Sequence, residues 1–573
     1  MPSLLGSSQL SRHVRWQAIL AFLGILLVIA LLSYATYTYT SQEVPARGGV
    51  FVEGVAGNPQ YINPILCQYN EVDRDLCALI FNGLLKLDER GAWQPDLAES
   101  WEMGPNSDVY TFTLRSDSRW HDGLRITADD VLFTVQLMQD PDLPVLPDLA
   151  ELWRSVIATK TDERTVVFHL SQPYAAFPDY VTLRWFGVIP KHYWERYAPA
   201  EIPSAQLNTQ PIGSGRFKLV EMDSQHARLE PVLSQFDTTP YLDALEFRFY
   251  PDYPSILAAA EAGEVHGVSH ILPEYQKQAE SIPDLQLFTA PTPGYTMVLF
   301  NFDAADAPGL KEQPVRQALA YALNRDKLLS EIIPGVGLKA DSPILPDSWA
   351  YNPNAPRYPY NPERAQKLLE EAGWIDGNKD GVREKDGHEL AFTLLSDDAP
   401  HSIAITQAMV EDWGRIGVRV TPQPVSFTGM VTDFLSPRHF DAALISVELI
   451  GDPDPYPQWH SSQISPKGQN FGGWQSREAD ILMEQARLAG KQEMRRQLYY
   501  EFQNVFATEL PAILLYYPLL TYGASAVVHD MAVGNLNEPA DRFATFAHWY
   551  INTRKITRTE RRTLNLDKVQ NRE

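Results

Sequence analysis

Apolar residues recur at helical spacing in NPERAQKLLEEAG, residues 361–373: Ala365, Leu368, Leu369 and Ala372 fall at i, i+3, i+4 and i+7. That spacing puts them on one face of a helix. Asn361 stands at the cap position, Pro362 suits the first turn, and Gly373 marks the end. A second helix is predicted after Thr127, where Asp130 completes a capping box. Others are expected from Pro314 through VRQALAYALNRDKLLSEII, from Ile403 to Ile416, and in DRDLCALIFNGLL around Cys77. Alternating patterns predict strands at VYTFTLR, TVVFHL and ARLEPV, and VRVTPQPV follows the 403–416 helix as another. Helices and strands interleave densely from Val50 onward, so the fold class is α/β.

The N-terminus breaks this pattern. Residues 18–32 read AILAFLGILLVIALL, and the run reaches 18 residues when extended to Ala35. Arg12, His13 and Arg15 precede it. Such a length suits a short membrane span, and the basic leader places the N-terminus in the cytoplasm. We therefore expect a cytoplasmic leader at 1–17, a transmembrane anchor at 18–36, and a polar stalk at 37–49. The expected location is the cell membrane, single-pass, with everything after the stalk extracytoplasmic. The competing reading is a signal peptide cut after Ser33-Tyr34-Ala35, which would release a secreted protein. No Cys follows the run, which excludes a lipoprotein anchor. Residues 554–573 are basic and polar and are expected to be disordered.

The 573 residues suffice for two or more domains. With 48 basic and 72 acidic residues, the net charge of −24 argues against a nucleic-acid binder. Cys67 and Cys77 are the two cysteines; in an extracytoplasmic compartment they are expected to form one disulfide. No G-x-S-x-G, H-E-x-x-H, G-x-x-x-x-G-K-[ST] or G-x-G-x-x-G occurs, so hydrolase, zincin and nucleotide templates fail. His121 in WHDG and His460 in QWHSS lack a second His at ligand spacing and read as structural. No enzyme activity, metal site or cofactor is expected. DGNKDGVREKDG, residues 376–387, begins like a calcium loop, but Gly387 stands where an EF-hand needs a bidentate Glu, and a strand follows. Its Asp, Asn and Gly residues suit a helix-to-strand connection, with calcium binding left open.

LIFNGLLKLDERGAWQPDLAESWEM followed by VYTFTLRSDSRWHDGLRITADDVLFT resembles the signature of extracellular solute-binding proteins, family 5, the peptide, nickel and oligosaccharide receptors of ABC importers. PIGSGRFKL resembles that family's P-x-G-[ST]-G turn and strand, and VLFNFD with PVRQALAYALNRD its strand-then-helix. YNPERAQKLLEEAGW with the acidic loop, IGDPDPYPQWHSSQ, and GQNFGGWQSREADILMEQA complete the series, which runs from about residue 48 to 552.

The resemblance implies a two-lobed class II periplasmic-binding-protein-like fold. Lobe I would comprise 48–292 plus 513–552, with an inserted subdomain near 88–212, and lobe II 293–512. TMVLFNF and AILLYYPLL would lie at the hinge. Peptide-binding members neutralise the ligand's ammonium with an Asp in a late loop, here GDPDPYPQWHSS, which points to Asp452 first and Asp454 second. The alternative is that both acids form Asx-Pro turns. Tyr61, Asn63, Tyr295 and Trp459 are expected to face them, whereas Trp120 is expected in the core. The implied function is capture of oligopeptides for an ABC importer, by a monomer whose partners are a small solute, the permease subunits and the membrane. A receptor for oligosaccharide or metal chelate, or a sensor without a transporter, is the alternative.

Overall fold

The computed structural model describes residues 7–88, 91–235, 237–449, 451–465, 468–534, 536 and 538–556. The described strands build a twelve-stranded mixed sheet. One end of it runs Arg419–Val425, Ala391–Asp397, Ala442–Glu448, Gly294–Phe300. The other runs Gly267–Val268, Val50–Ala56, Ala244–Tyr250, His226–Pro231, Phe217–Met222. The strand Ala512–Ser525 joins the two ends. Its first residues pair with Gly294–Phe300, Tyr516–Pro518 pair with Gly337–Lys339, and Leu519–Ser525 pair with Leu285–Pro291.

Two separate cores flank this shared strand. The first gathers Phe51, Leu76, Phe112, Trp153, Leu229 and Trp549. It also covers a four-stranded sheet ordered Ala98–Met103, Val109–Leu114, Thr165–Leu170, Val156–Lys160. Trp120 is buried there, as expected. The second side packs Val298, Leu319, Trp374 and Trp413 on one face of its strands and Tyr295, Met297, Trp459 and Phe506 on the other. The chain passes between the sides at two places, Thr292–Pro293 and Tyr517–Leu519, and the Thr292 amide donates to the Pro518 carbonyl at 3.1 Å.

Many local expectations hold. Helix Pro362–Glu371 buries Ala365, Leu368 and Leu369, and Asn361 accepts from the Arg364 amide at 2.9 Å. Thr127 and Asp130 form the capping box of Ala128–Gln139. The helix after Pro314 instead stops at Ala322; Leu323 is extended, and Asn324 starts a new turn by accepting from Lys327. The helix around Cys77 stops at Ile80 rather than continuing through FNGLL. There Gly83 lies against the 182–183 backbone, and a Cβ on it would sit 2.3 Å from the Leu183 amide nitrogen.

The expected disulfide is absent: Cys67 and Cys77 are buried free thiols. The two lie in contact, but Cys67 Sγ is turned to the Pro64 carbonyl at 3.7 Å and Cys77 Sγ to the Tyr61 carbonyl at 3.9 Å. In the acidic loop, Glu384 accepts from the Gly377 and Asn378 amides and Asp376 from Gly381, which makes it a self-bonded connection.

Residues Ser7–Thr40 form one helix. Its side chains are described over 16–32, and Trp16, Leu20, Phe22, Leu27 and Leu31 are all exposed. Among the described residues no helix is long and apolar enough to cross a membrane, so the expected span is not shown. Residues 1–6 of the leader and 557–573 of the tail lie outside the described residues. Two other expectations change. Gln42–Pro45, assigned to the stalk, pairs antiparallel with Thr553–Ile556, which opens the tail expected to be disordered. Backbone hydrogen bonding, invisible to composition, orders both.

Candidate functional site

The loop that follows Ala442–Glu448 carries two Asp-Pro pairs, Asp452-Pro453 and Asp454-Pro455, and each Pro restricts the residue before it. Gly451 lets this loop approach the first side closely, because a Cβ there would sit 2.6 Å from Leu87 Cδ1 and 3.3 Å from Asp179 Oδ1. Three carboxylates meet at this contact.

Asp452 is clamped by Arg495, at 2.8 Å from Oδ2 to Nη1 and 2.5 Å from Oδ1 to Nη2. Arg495 comes from the first turn of helix Gln492–Glu509 and also donates to Tyr499 Oη at 2.9 Å. Asp454 pairs with Arg487, whose Nη2 and Nε lie 2.7 and 2.8 Å from Oδ2. The Arg487 guanidinium sits 3.6 Å over the Tyr456 ring and 4.9 Å from the Tyr174 ring on the opposite side. Such stacking adds to the ion pair.

Asp179 enters from the first side, in the short turn Phe177–Val181, and is 1% exposed. Its Oδ1 accepts from Trp93 Nε1 and its Oδ2 from the Asp452 amide. Burial, reinforced by the Asp452 charge, pushes its carboxyl well above the ordinary range. Burial raises Asp452 too, opposed by Arg495. At the rim Arg184 pairs with Glu448 at 2.5 Å, and the Ala175 amide donates to the Arg487 carbonyl at 3.0 Å, so the two sides stand closed on each other.

Two spaces open at the contact. One, of about 70 Å³, is lined by Asp179, Arg184, Tyr295, Trp349, Asp454 and Glu538. The other, of about 1090 Å³, is lined by Tyr174, Tyr180, Trp185, Tyr456, Gln458 and Arg487. Trp185 and Gln458 border both. Glu538, at the inner mouth, is pushed by burial up to about 7, with Arg184 pulling the other way.

Of the residues expected from the sequence, Asp454 and Tyr295 line the cleft. Asp452 stands behind it with its carboxylate committed to Arg495, which corrects its expected role as an open anion for a ligand. Trp459 is buried among Trp474 and Phe506, with its Nε1 donating to Tyr295 Oη at 3.1 Å, so it supports a wall rather than forming one. Asn63 is fully buried and bonded to Asn208, and Tyr61 packs on the first core; neither joins the cleft. Sequence reasoning missed Asp179, Arg487 and Arg495. Arg495 did leave a signal: with Tyr499, Phe502 and Phe506 it falls on one helical face, so a cation sits in an apolar stripe.

The model of bacterial extracellular solute-binding proteins, family 5, matches residues 92–469. The chain belongs to this family. It is 30% identical over 521 residues to the oligopeptide-binding protein AppA of Bacillus subtilis, covering 88% of this chain and 94% of that one. The solved structure of B. subtilis AppA with a nonapeptide superposes with a TM-score of 0.67 at 27% identity, over 89% of this chain and all of the other. NikZ of Campylobacter jejuni in complex with Ni(L-His) superposes at 0.69 with 25% identity, over 87% and 99%. Family 5 proteins are transport receptors rather than enzymes, and the cleft between the two sides of the sheet is where this member's geometry offers room for a solute.

Proposed function

We propose that the protein is an extracytoplasmic receptor that captures oligopeptides between two lobes and delivers them to an ABC importer. Lobe I is built around the first core, including the inserted four-stranded sheet, and lobe II around the second. The crossings at Thr292–Pro293 and Tyr517–Leu519 are the hinge, the latter a few residues beyond the boundary expected at 512–513. The observation that carries this reading is the size of the enclosed space. Small-ligand pockets usually measure about 300–1,000 Å³, and the larger chamber, at about 1090 Å³, stands at the top of that range, which suits a ligand of peptide size. The similarity to a nonapeptide-bound relative supports the same conclusion. Closure needs no chemistry: a ligand that contacts both lobes favours the closed state by its differential affinity.

The Ser7–Thr40 helix is the membrane anchor in this reading. Its support is the exposure of large apolar side chains from Trp16 to Leu32, which a soluble surface rarely carries together.

The test is mass spectrometry of solute retained by the protein purified under native conditions. A series of peptide masses is expected. An oligosaccharide, haem or a nickel chelate in their place would overturn the peptide assignment.

A further inference from the structure

We propose that the cleft is built for a ligand bearing a cationic group, an ammonium or guanidinium, and that Asp179 is the residue that receives it. The inference rests on the peptide reading above and assigns the seat of the ligand's charge to the opposite lobe from the late loop.

Three acids meet where the lobes touch, and two of them already have cations. Asp452 is held by Arg495 and Asp454 by Arg487. Asp179 has neutral donors alone, the Trp93 indole and the Asp452 amide, and forms no ion pair among the described residues. It is 1% exposed, yet it borders the 70 Å³ space, about the room one ammonium group needs, and a smaller one shared with Tyr174, Tyr180 and Asp452. Each carboxylate oxygen can accept a second hydrogen bond, so the bonds from Trp93 and the Asp452 amide do not exhaust its capacity. The groups that face Asp179 are the Asp452 carboxylate, which repels its charge, Arg495, which attracts it from behind Asp452, and the Tyr180 hydroxyl. The described walls of the 70 Å³ space hold Asp179, Asp347, Asp454 and Glu538 as acids and Arg184 as base; Asp454 is paired with Arg487 and Arg184 with Glu448.

A buried carboxyl without a cation stays protonated to unusually high pH. This one is raised by burial and by Asp452. A cation arriving beside it reverses the balance: Asp179 ionises, its proton passes to solvent, and the ligand's charge completes the pair. Binding of a cationic ligand therefore releases a proton near neutral pH.

The experiment uses the full chain in mild detergent, with peptides of three to nine alanine and leucine residues, either free or acetylated at the N-terminus. Isothermal titration is run at pH 7 in two buffers of different ionisation enthalpy. We expect free-amine peptides to bind about 30-fold tighter than acetylated ones, the scale for losing one member of a buried charge pair. We also expect release of up to one proton per free-amine peptide and none per acetylated peptide. Asp179→Asn should erase both differences. Equal binding of the two peptide forms by the unaltered protein, or no proton release, overturns the role of Asp179 and leaves the peptide reading standing. If neither form binds, spermidine and arginine decide. Binding of either with proton release upholds the cation seat while the peptide reading fails, and no binding of any cation overturns both. The unaltered protein alone gives these answers, so they survive even if Asp179→Asn folds poorly.

Discussion

Two clusters of buried acids and arginines invite comparison. In lobe I, Arg542 donates Nε to Glu53 Oε1 at 2.9 Å and holds Asp75 with Nη2 at 2.6 Å, while Tyr522 Oη donates to Glu53 Oε2 at 2.9 Å. At the cleft, Asp179, Asp452 and Asp454 meet Arg495 and Arg487. Both clusters hold one acid more than they hold arginines. In lobe I the surplus is absorbed within one packed body, by a tyrosine hydroxyl and by burial that pushes Glu53 up to about 7 against the pull of Arg542. At the cleft the surplus faces a space and is divided between lobes. The same chemistry thus serves cohesion in one place and leaves a vacancy for recognition in the other.

The sharpest way to break this comparison is Arg542→Met, which strands two buried acids. Removing one partner of a buried charge cluster typically costs about 3–5 kcal/mol. Denaturant unfolding should show a loss of that size, with peptide affinity of the folded fraction unchanged. A loss below about 1 kcal/mol would mean that the lobe I cluster does not provide cohesion.

A smaller effect should come from pH, and only at the cleft. Asp179 is covered in part by the Asp452 loop from the other side, so opening that contact is expected to lower its affinity for a proton, and the closed form should hold a proton that the open form releases. Closure of the empty protein should be favoured below the raised value and weaken as pH rises through it. The radius of gyration by small-angle scattering should increase from pH 5 to pH 9, and Asp179→Asn should flatten the change. Glu538, raised to about 7, acts in the same direction and will leave a residual slope.

The smallest effect is expected at the rim. In the Arg184 pair Glu448 is largely exposed while Arg184 is mostly buried against Trp185, and a pair open to solvent on one side contributes near the top of the about 0–1 kcal/mol of surface pairs. Arg184→Met should shift thermal unfolding little and mainly reduce the salt dependence of closure.

The sequence made the local elements and the family legible because they are written in short-range patterns. Ala365, Leu368 and Leu369 needed nothing beyond their spacing, and GDPDPYPQWHSS announced the cleft loop. The partners in the cleft were not legible. Asp179 is one acid in FPDYV, and its contact with the Asp452 amide spans 273 residues. Asp452 was singled out by its place in the family's late loop; Arg495, which claims its carboxylate, lies 43 residues on and meets it only in the fold. Tyr295 and Trp459 were both expected to face the two acids; Tyr295 lines the cleft, whereas Trp459 is held behind it by the bond from its indole to the Tyr295 hydroxyl. The family pattern supplied the loop, and the tertiary fold decided which of its acids stayed unpaired.

The small ladder between Gln42–Pro45 and Thr553–Ile556 has a mechanical consequence. A flexible stalk of thirteen residues would give a random-coil reach of about 20 Å and let the receptor wander. Here a single residue, Ser41, separates the end of the helix from the first paired residue, and an extended residue spans about 3.5 Å. The domain is therefore mounted on the helix rather than leashed to it, and whatever holds the helix also fixes the direction in which the cleft faces to within the freedom of one residue.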